Sequence, residues 1–238
     1  MLDVDLHVHT NKSPCGLHSL LEILGLARDL GMSMLAITDH DVGNGHGIRV
    51  LSYRFPKEWQ GVHVLAGIEF SILDGGKIKL PGSVKIDELD ICLAGFHPES
   101  RTIRDNRVKC TDDLEAVLNN YPFIDIISHP TLTGFDLEHE RCAKILARHG
   151  VAIEVNNSSL RYEKEKKENL LSLLKHCISF RVPVAINSDA HTAVELGQDE
   201  MTLPLIKQAA VPAELIVNSS VDQALAFIDK RRANKKKS

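Results

Sequence analysis

Strand and helix signals alternate about seven times along the chain, which predicts an α/β fold built on a parallel sheet, open or closed. Three observations carry that expectation. The apolar runs are of strand length, rich in β-branched residues and continuous rather than alternating, as strands covered on both faces are. The intervals between them show apolar residues at three- and four-residue spacing, the period of a helix packed on a sheet. Six of the twelve histidines stand at or just past the C-terminal ends of these runs, the rim on which parallel α/β folds mount their chemistry.

In chain order, the first strand lies in VDLHVH (4–9), and LHSLLEILGLARDLG (17–31) follows as a helix with a glycine stop. MLAITDH (34–40) is the second strand and VHVLAGIEFSI (62–72) the third. Segments 41–61 and 73–88 are richer in Gly, Pro and charge and read as βα loops, the expected source of substrate specificity. DICLAGFH (90–97), IDIISH (124–129), VAIEVN (151–156) and VPVAINS (182–188) complete the strands. Helices are expected over 111–120, 136–149 and 162–179, the second ending at Gly150 and the third opening in a charged, solvated stretch. With no domain boundary and no repeat, one domain is expected over 1–229, followed by a basic, disordered tail over 230–238.

Composition narrows the class further. With 238 residues, 43% apolar and 25% charged, the chain is ordinary globular material. At this size folding buries roughly 70–75% of the exposable surface, so no staple is needed. No run of 18 uncharged apolar residues occurs, and MLDVDLHVHT lacks a signal-peptide pattern, so a soluble, cytoplasmic protein without membrane partners is expected. Five scattered cysteines without a CxxC pair argue against a disulfide framework. Residues 1–229 carry 22 basic against 32 acidic side chains, a net charge of −10, whereas nucleic-acid binders put positive charge on the folded surface.

The rim histidines are His7, His9, His40, His97, His129 and His191, joined there by Asp39, Glu69 and Asp189. A period of two puts His7 and His9 on one face of a strand, so both imidazoles can reach one ion. A single histidine at a strand end is more often a hydrogen-bonded structural residue. Gathering six with three acids, unpaired, would cost several kcal/mol that a bound cation removes. Imidazole with carboxylate suits zinc, manganese or iron. His63, His139, His149 and His176 read as structural or solvated, while His18 and His46, in the first two rim loops, are candidates for substrate contact or proton transfer.

DLHVHT (5–10), AITDH (36–40), GIEF (67–70), GFHP (95–98), ISHP (127–130), EVNNSS (154–159) and NSDAHT (187–192) together resemble the successive motifs of the PHP (polymerase and histidinol phosphatase) family, in the order and spacing of its small YcdX-type phosphatase branch. The resemblance runs over nearly the whole chain. It implies a distorted (β/α)7 barrel, TIM-barrel-like, with three divalent ions at the C-terminal ends of the strands. By motif, His7, His9, Glu69 and Asp189 would hold one ion, Glu69 would bridge to a second held by His97 and His129, and His40 and His191 would hold the third. One position departs from the branch: Cys15 stands where a third first-loop histidine is usual. A thiolate ligates zinc well, so Cys15 is the favoured third-site ligand, with His18 as its rival, and zinc is favoured over manganese or iron.

The clustered donors and the resemblance together imply an enzyme that hydrolyses a small phosphomonoester through a metal-bridging hydroxide, with the ions steadying attacking and leaving oxygens. Glu69, Asp189 and His191 are the catalytic set. Arg161 is a candidate phosphate clamp, and Asn156 and Asn157 are candidate substrate or ligand-supporting donors, beside plain structural roles. Two other readings stay open: an amidohydrolase-like hydrolase of C–N bonds, and a weakly active metal-binding PHP domain of nucleic-acid metabolism. Related proteins of the branch assemble, so a homo-oligomer is also expected.

Overall fold

The computed structural model describes residues 1–40, 45–82 and 84–235, the side chains of 45–47, 234 and 235 excepted. Its strands are β1 (Val4–Val8), β2 (Met34–Ile37), β3 (Glu58–Trp59), β4 (Val62–Ser71), β5 (Ile91–Gly95), β6 (Ile126–Ile127), β7 (Ala152–Asn156) and β8 (Val184–Asn187). Seven pair in parallel in the order β1-β2-β4-β5-β6-β7-β8, and the two-residue β3 folds back antiparallel on β4. The helices are α1 (Leu20–Asp29), α2 (Gly45–Arg54), α3 (Arg107–Asn120), α4 (His139–His149), α5 (Asn157–Arg161), α6 (Lys167–Ser179), α7 (Thr202–Ala209) and α8 (Val221–Lys235).

The sheet curls into a nearly closed barrel. At the seam β1 and β8 are joined chiefly by side chains: Asn187 Oδ1 accepts from Leu6 N at 3.0 Å and Asp5 Oδ1 from Ser188 N at 3.1 Å. Asn218 donates to both Val4 O and Ile186 O across the same gap. One backbone bond, His9 N to Ala190 O at 2.9 Å, finishes the seam at the top. Burial pushes the Asp5 carboxyl up to about 6 against the opposing pull of its Ser188 bonds.

The inner face is layered. Val4, Leu6, Met34, Ala36, Leu65, Ile91, Leu93, Ile126, Ala152 and Ala185 form an apolar floor, closed from below by Ala224, Phe227 and Ile228 of α8. Further along the strands, at His7, Glu69, Glu154 and Asn187, the inward side chains turn polar. In β1 this depends on a bulge: Val4 and Asp5 face Met34 and Leu35, but Val8 faces Ile37, so β1 holds one extra residue. Asp5 points out of the barrel interior on one side of it, and His7 and His9 point in on the other. Outside the barrel, two further apolar clusters pack α1 and α2 over β1, β2 and β4, and α3, α4 and α6 over β4 to β8.

Two expectations are corrected. Segment 41–61 contains α2, because Ile48 and Leu51 bury themselves at helical spacing behind a glycine-rich lead-in that masks the period. Segment 73–88, by contrast, holds no α-helix among the described residues, in keeping with its loop-like composition. The basic stretch expected to fray from 230 is helical through Lys235, with residues 236–238 outside those described. Arg231 explains this: it is buried, with Nε 3.3 Å from Asp125 Oδ1 and guanidinium bonds to the carbonyls of His149, Pro122 and Ile124. Arg231→Ala, which strands a buried acceptor set, should lower unfolding free energy in urea by about 3–5 kcal/mol; a change under about 0.5 kcal/mol would restore the frayed-tail description.

Candidate metal centre

Glu69, at the top of β4 and fully buried, stands at the middle of the polar layer. Its Oε2 lies 3.3 Å from His7 Nε2, 3.4 Å from His9 Nε2 and 3.2 Å from His40 Nδ1. Its Oε1 lies 3.4 Å from His97 Nε2 and 3.0 Å from His129 Nε2, and accepts from Ser128 Oγ at 2.6 Å. Asp189 closes the group from just past β8, its Oδ1 3.3 Å from His7 Nε2 and 3.2 Å from His9 Nε2.

The hydrogen bonds around this group fix which ring nitrogens face it. His7 Nδ1 donates to Glu154 Oε1 at 2.8 Å. Ser13 Oγ gives its one proton to Asp39 Oδ1 and accepts from His40 N, so its contact with His9 Nδ1 at 3.2 Å makes that nitrogen the donor. His191 Nδ1 likewise donates to the Asp189 carbonyl at 2.9 Å. In their neutral forms all three rings therefore present a bare Nε2, and the Nε2 atoms of His7 and His9 are only 3.0 Å apart. Two imidazole nitrogens and two carboxylate oxygens converge on one point, an arrangement that needs either protons on the imidazoles or a bound metal cation between them.

Electrostatics agree. Burial pushes the His7 and His9 imidazoles down, yet Asp189, Glu69 and, for His7, Glu154 override it and raise both. His129 rises to about 9, burial losing to Glu69. Burial would raise the Glu69 and Asp189 carboxyls, but the surrounding imidazoles, His7 foremost, hold both well below the carboxylate range. His40 goes the other way, to about 3, because burial there outweighs Glu69. Asp189 Oδ1 and His97 Nε2, which face the cluster, are buried without a hydrogen-bond partner among the described residues, a state that a bound cation would relieve.

Three donor groups of metal-binding proximity result: His7, His9 and Glu69; His40, Glu69 and His97; and His9, Cys15, His40 and His191, the donor atoms of each group within 4.8 Å of one another. They floor a cavity of about 880 Å³ whose walls include Pro14, Ser71, Pro98, Glu99, Leu132 and Lys164. A model of the PHP domain matches residues 5–154. The chain belongs to the PHP domain family. Among its relatives, a "Probable phosphatase" of Caldicellulosiruptor saccharolyticus is 31% identical over 235 residues, covering 95% of this chain and 96% of that one. The "Probable phosphatase YcdX" of Escherichia coli O81 is 31% identical over 237 residues, covering 97% and 96%. The barrel superposes on a histidinol phosphate phosphatase from Lactococcus lactis, solved with zinc, L-histidinol and phosphate, with TM-score 0.61, 15% identity and coverage of 88% and 94%.

Within this PHP centre the residues read from sequence fall unevenly. His7, His9, His40, His97, His129, His191, Glu69 and Asp189 meet at one mouth. Cys15 joins them, and His18 does not: it lies at the base of its loop, its carbonyl accepting from Asn11 N, and is absent from the cavity wall. Asp39 turns to the first loop, accepting from Thr10 and Ser13. Arg161 is corrected: it ends α5 pointing at Glu200, and Lys164 is the one lysine or arginine among the described cavity-lining residues. Asn156 is corrected as a substrate contact, being fully buried; its amide donates to Glu154 and Asp189 and its Oδ1 caps α5. Asn157 bonds Glu200 and Met201 N instead of the cavity. The His46 side chain lies outside the described residues. Segments 41–61 and 73–88 contribute no described residue to the cavity wall, which comes largely from the turns after β1, β5, β6 and β7.

Glu154 opens the EVNNSS motif and is a lone acid inside the apolar run VAIEVN; it is not among the site residues read from the sequence, yet it organises the centre. It accepts from His7 Nδ1, His129 N, Asn156 Nδ2 and Asn187 Nδ2, filling both its oxygens. The bond to His129 N holds that residue at φ +30 and, with Asp189 at φ +54, marks two left-handed non-glycine positions among the centre's residues. Gly95 leaves room for the His129 ring: a Cβ there would lie 2.3 Å from Ser128 Oγ and 2.5 Å from His129 Cε1. Gly95→Ala should therefore cost about 1–3 kcal/mol and reduce zinc uptake measured by mass spectrometry; unchanged stability with unchanged uptake would show that this contact does not seat His129.

Proposed function

We propose that this chain is a metal-dependent phosphatase that hydrolyses a small phosphomonoester at a centre of three divalent ions. The observation that carries the proposal is the convergence of bare imidazole nitrogens and carboxylate oxygens on Glu69 at the floor of an open cavity. His7, His9, Glu69 and Asp189 would hold the first ion, Glu69, His97 and His129 the second, and His40, His191 and Cys15 the third. The orphaned Asp189 and His97 atoms support that fit, and a nitrogen, oxygen and sulfur donor set favours zinc, ahead of manganese or iron. When bound, such ions supply an activated nucleophile at neutral pH and positive charge for the phosphoryl oxygens.

The chain's own groups do the rest by placement. Glu154 fixes the His7 tautomer, the Ser13–Asp39 pair fixes that of His9, and the Asp189 carbonyl that of His191. Lys164, on the cavity wall in the segment after α5, takes the clamp role given to Arg161, as a point charge for a phosphate or anionic leaving group. Pro14, Pro98 and Leu132 shed water from the mouth, while Ser71, Ser100, Thr133 and Ser159 offer hydroxyls to a leaving group. One lysine and no arginine among the described residues of a cavity wall that also carries Glu99 disfavours a nucleic-acid strand, which needs a basic groove. The zinc and phosphate carried by the Lactococcus lactis phosphatase, and the names of the curated relatives, support the same chemistry. Five unbridged cysteines fit a cytoplasmic setting.

The test is turnover of a library of phosphomonoesters, with an amide panel beside it, by stripped protein restored with zinc, manganese or iron. Metal-dependent release of phosphate is expected, falling about 10–100-fold in Glu154→Gln. Hydrolysis of amides with no phosphomonoester turned over under any metal would transfer the assignment to C–N bonds.

A further inference from the structure

Of the five cysteines only Cys15 is exposed. Cys92, Cys110, Cys142 and Cys177 are buried, and burial pushes the Cys142 thiol up to about 12 and raises those of Cys110 and Cys177, which leaves these sulfurs unreactive. Cys15 occupies the opposite environment, lining the cavity with its Sγ among the donor atoms of His9, His40 and His191.

The loop that carries it is built to hold it there. Ser13 N donates to Thr10 O at 3.0 Å, Gly16 N to Ser13 O at 3.3 Å, and Leu17 N to His191 O at 2.9 Å, so the turn is tied both to its own base and to the strand-end segment of His191. Gly16 is required by that path, since a Cβ there would lie 2.0 Å from Thr10 O.

We propose that Cys15 is an oxidation site that gates the third cation position, a regulation resting on the metal centre inferred above. Sulfur ligates a metal as thiolate, the same form that attacks a peroxide. In that step the Cys15 sulfur bonds to one peroxide oxygen as the O–O bond breaks; hydroxide leaves and takes a proton from solvent to become water. The sulfur loses two electrons and the peroxide gains them. The product is a neutral sulfenic acid, which has lost the charge that bound the ion and leaves three imidazoles behind. With the other four cysteines buried, no internal disulfide follows. A small thiol condenses with the sulfenic acid, releasing water, and a second molecule of that thiol restores Cys15 by disulfide exchange. The centre thus shifts between a full and a depleted state with the peroxide-to-thiol balance around it.

The experiment uses the full chain loaded with zinc, treated with hydrogen peroxide, trapped with dimedone, and then read by intact mass, peptide mapping and zinc content after desalting. One adduct at Cys15 is expected, with loss of one zinc per chain; dithiothreitol added in place of dimedone should allow zinc to rebind. Cys15→Ser should start one zinc short and take no adduct, whereas Cys15→His should keep its zinc through the same treatment. Full zinc retention with Cys15 completely labelled, or labelling confined to other cysteines, overturns the gate while leaving the metal centre standing. A protein that holds no zinc before oxidation overturns both.

Discussion

A buried carboxylate ringed by imidazoles is the constraint on which the rest of this structure turns. Glu69 has five histidine nitrogens within 3.4 Å, and Asp189 adds an oxygen to two of them. Such a cluster is costly to desolvate and is tolerable only when its charges are balanced at close range. The barrel meets that demand by division: an apolar floor sealed by α8 supplies the stability, and the strand tops carry the chemistry. The β1 bulge is where the two uses of the strand meet, since without the extra residue His7 and His9 would face α1 rather than Glu69.

Around the cluster, hydrogen bonds serve orientation. Glu154, Ser13 with Asp39, and the Asp189 carbonyl each take the far nitrogen of one histidine and so turn its other nitrogen to the centre. Backbone strain serves the same end, because His129 and Asp189 keep left-handed conformations that cost about 1–3 kcal/mol each. The gap that Gly95 leaves beneath the His129 ring works in the same direction. A site held this firmly before any substrate arrives suits a reaction in which the protein's part is mostly to position charge.

Much of this is legible in the sequence because its signals are local. Strand-end histidines announce themselves by position, and the shared face of His7 and His9 rests on strand period alone. Cys15 stands out against its family pattern, and the loop path set by Gly16 makes it, rather than His18, the residue at the cluster. Other features are illegible because they depend on distant partners. Arg161 and Lys164 differ by three residues, and only the short α5 followed by the turn through Glu163 decides which faces the cavity and which meets Glu200. Arg231 reads as part of a solvated tail until its carbonyl partners, from segments 82 to 109 residues away, come beside it. The importance of Glu154 likewise arises from His7, 147 residues earlier.

Anomalous diffraction at the zinc edge, from crystals grown with zinc, tests the central claim most directly. Peaks are expected on both sides of the Glu69 carboxylate, one reached by His7, His9 and Asp189 and one by His97 and His129, with a further peak beside Cys15, His40 and His191. Density confined to the protein surface, with none in reach of Glu69, would contradict the account.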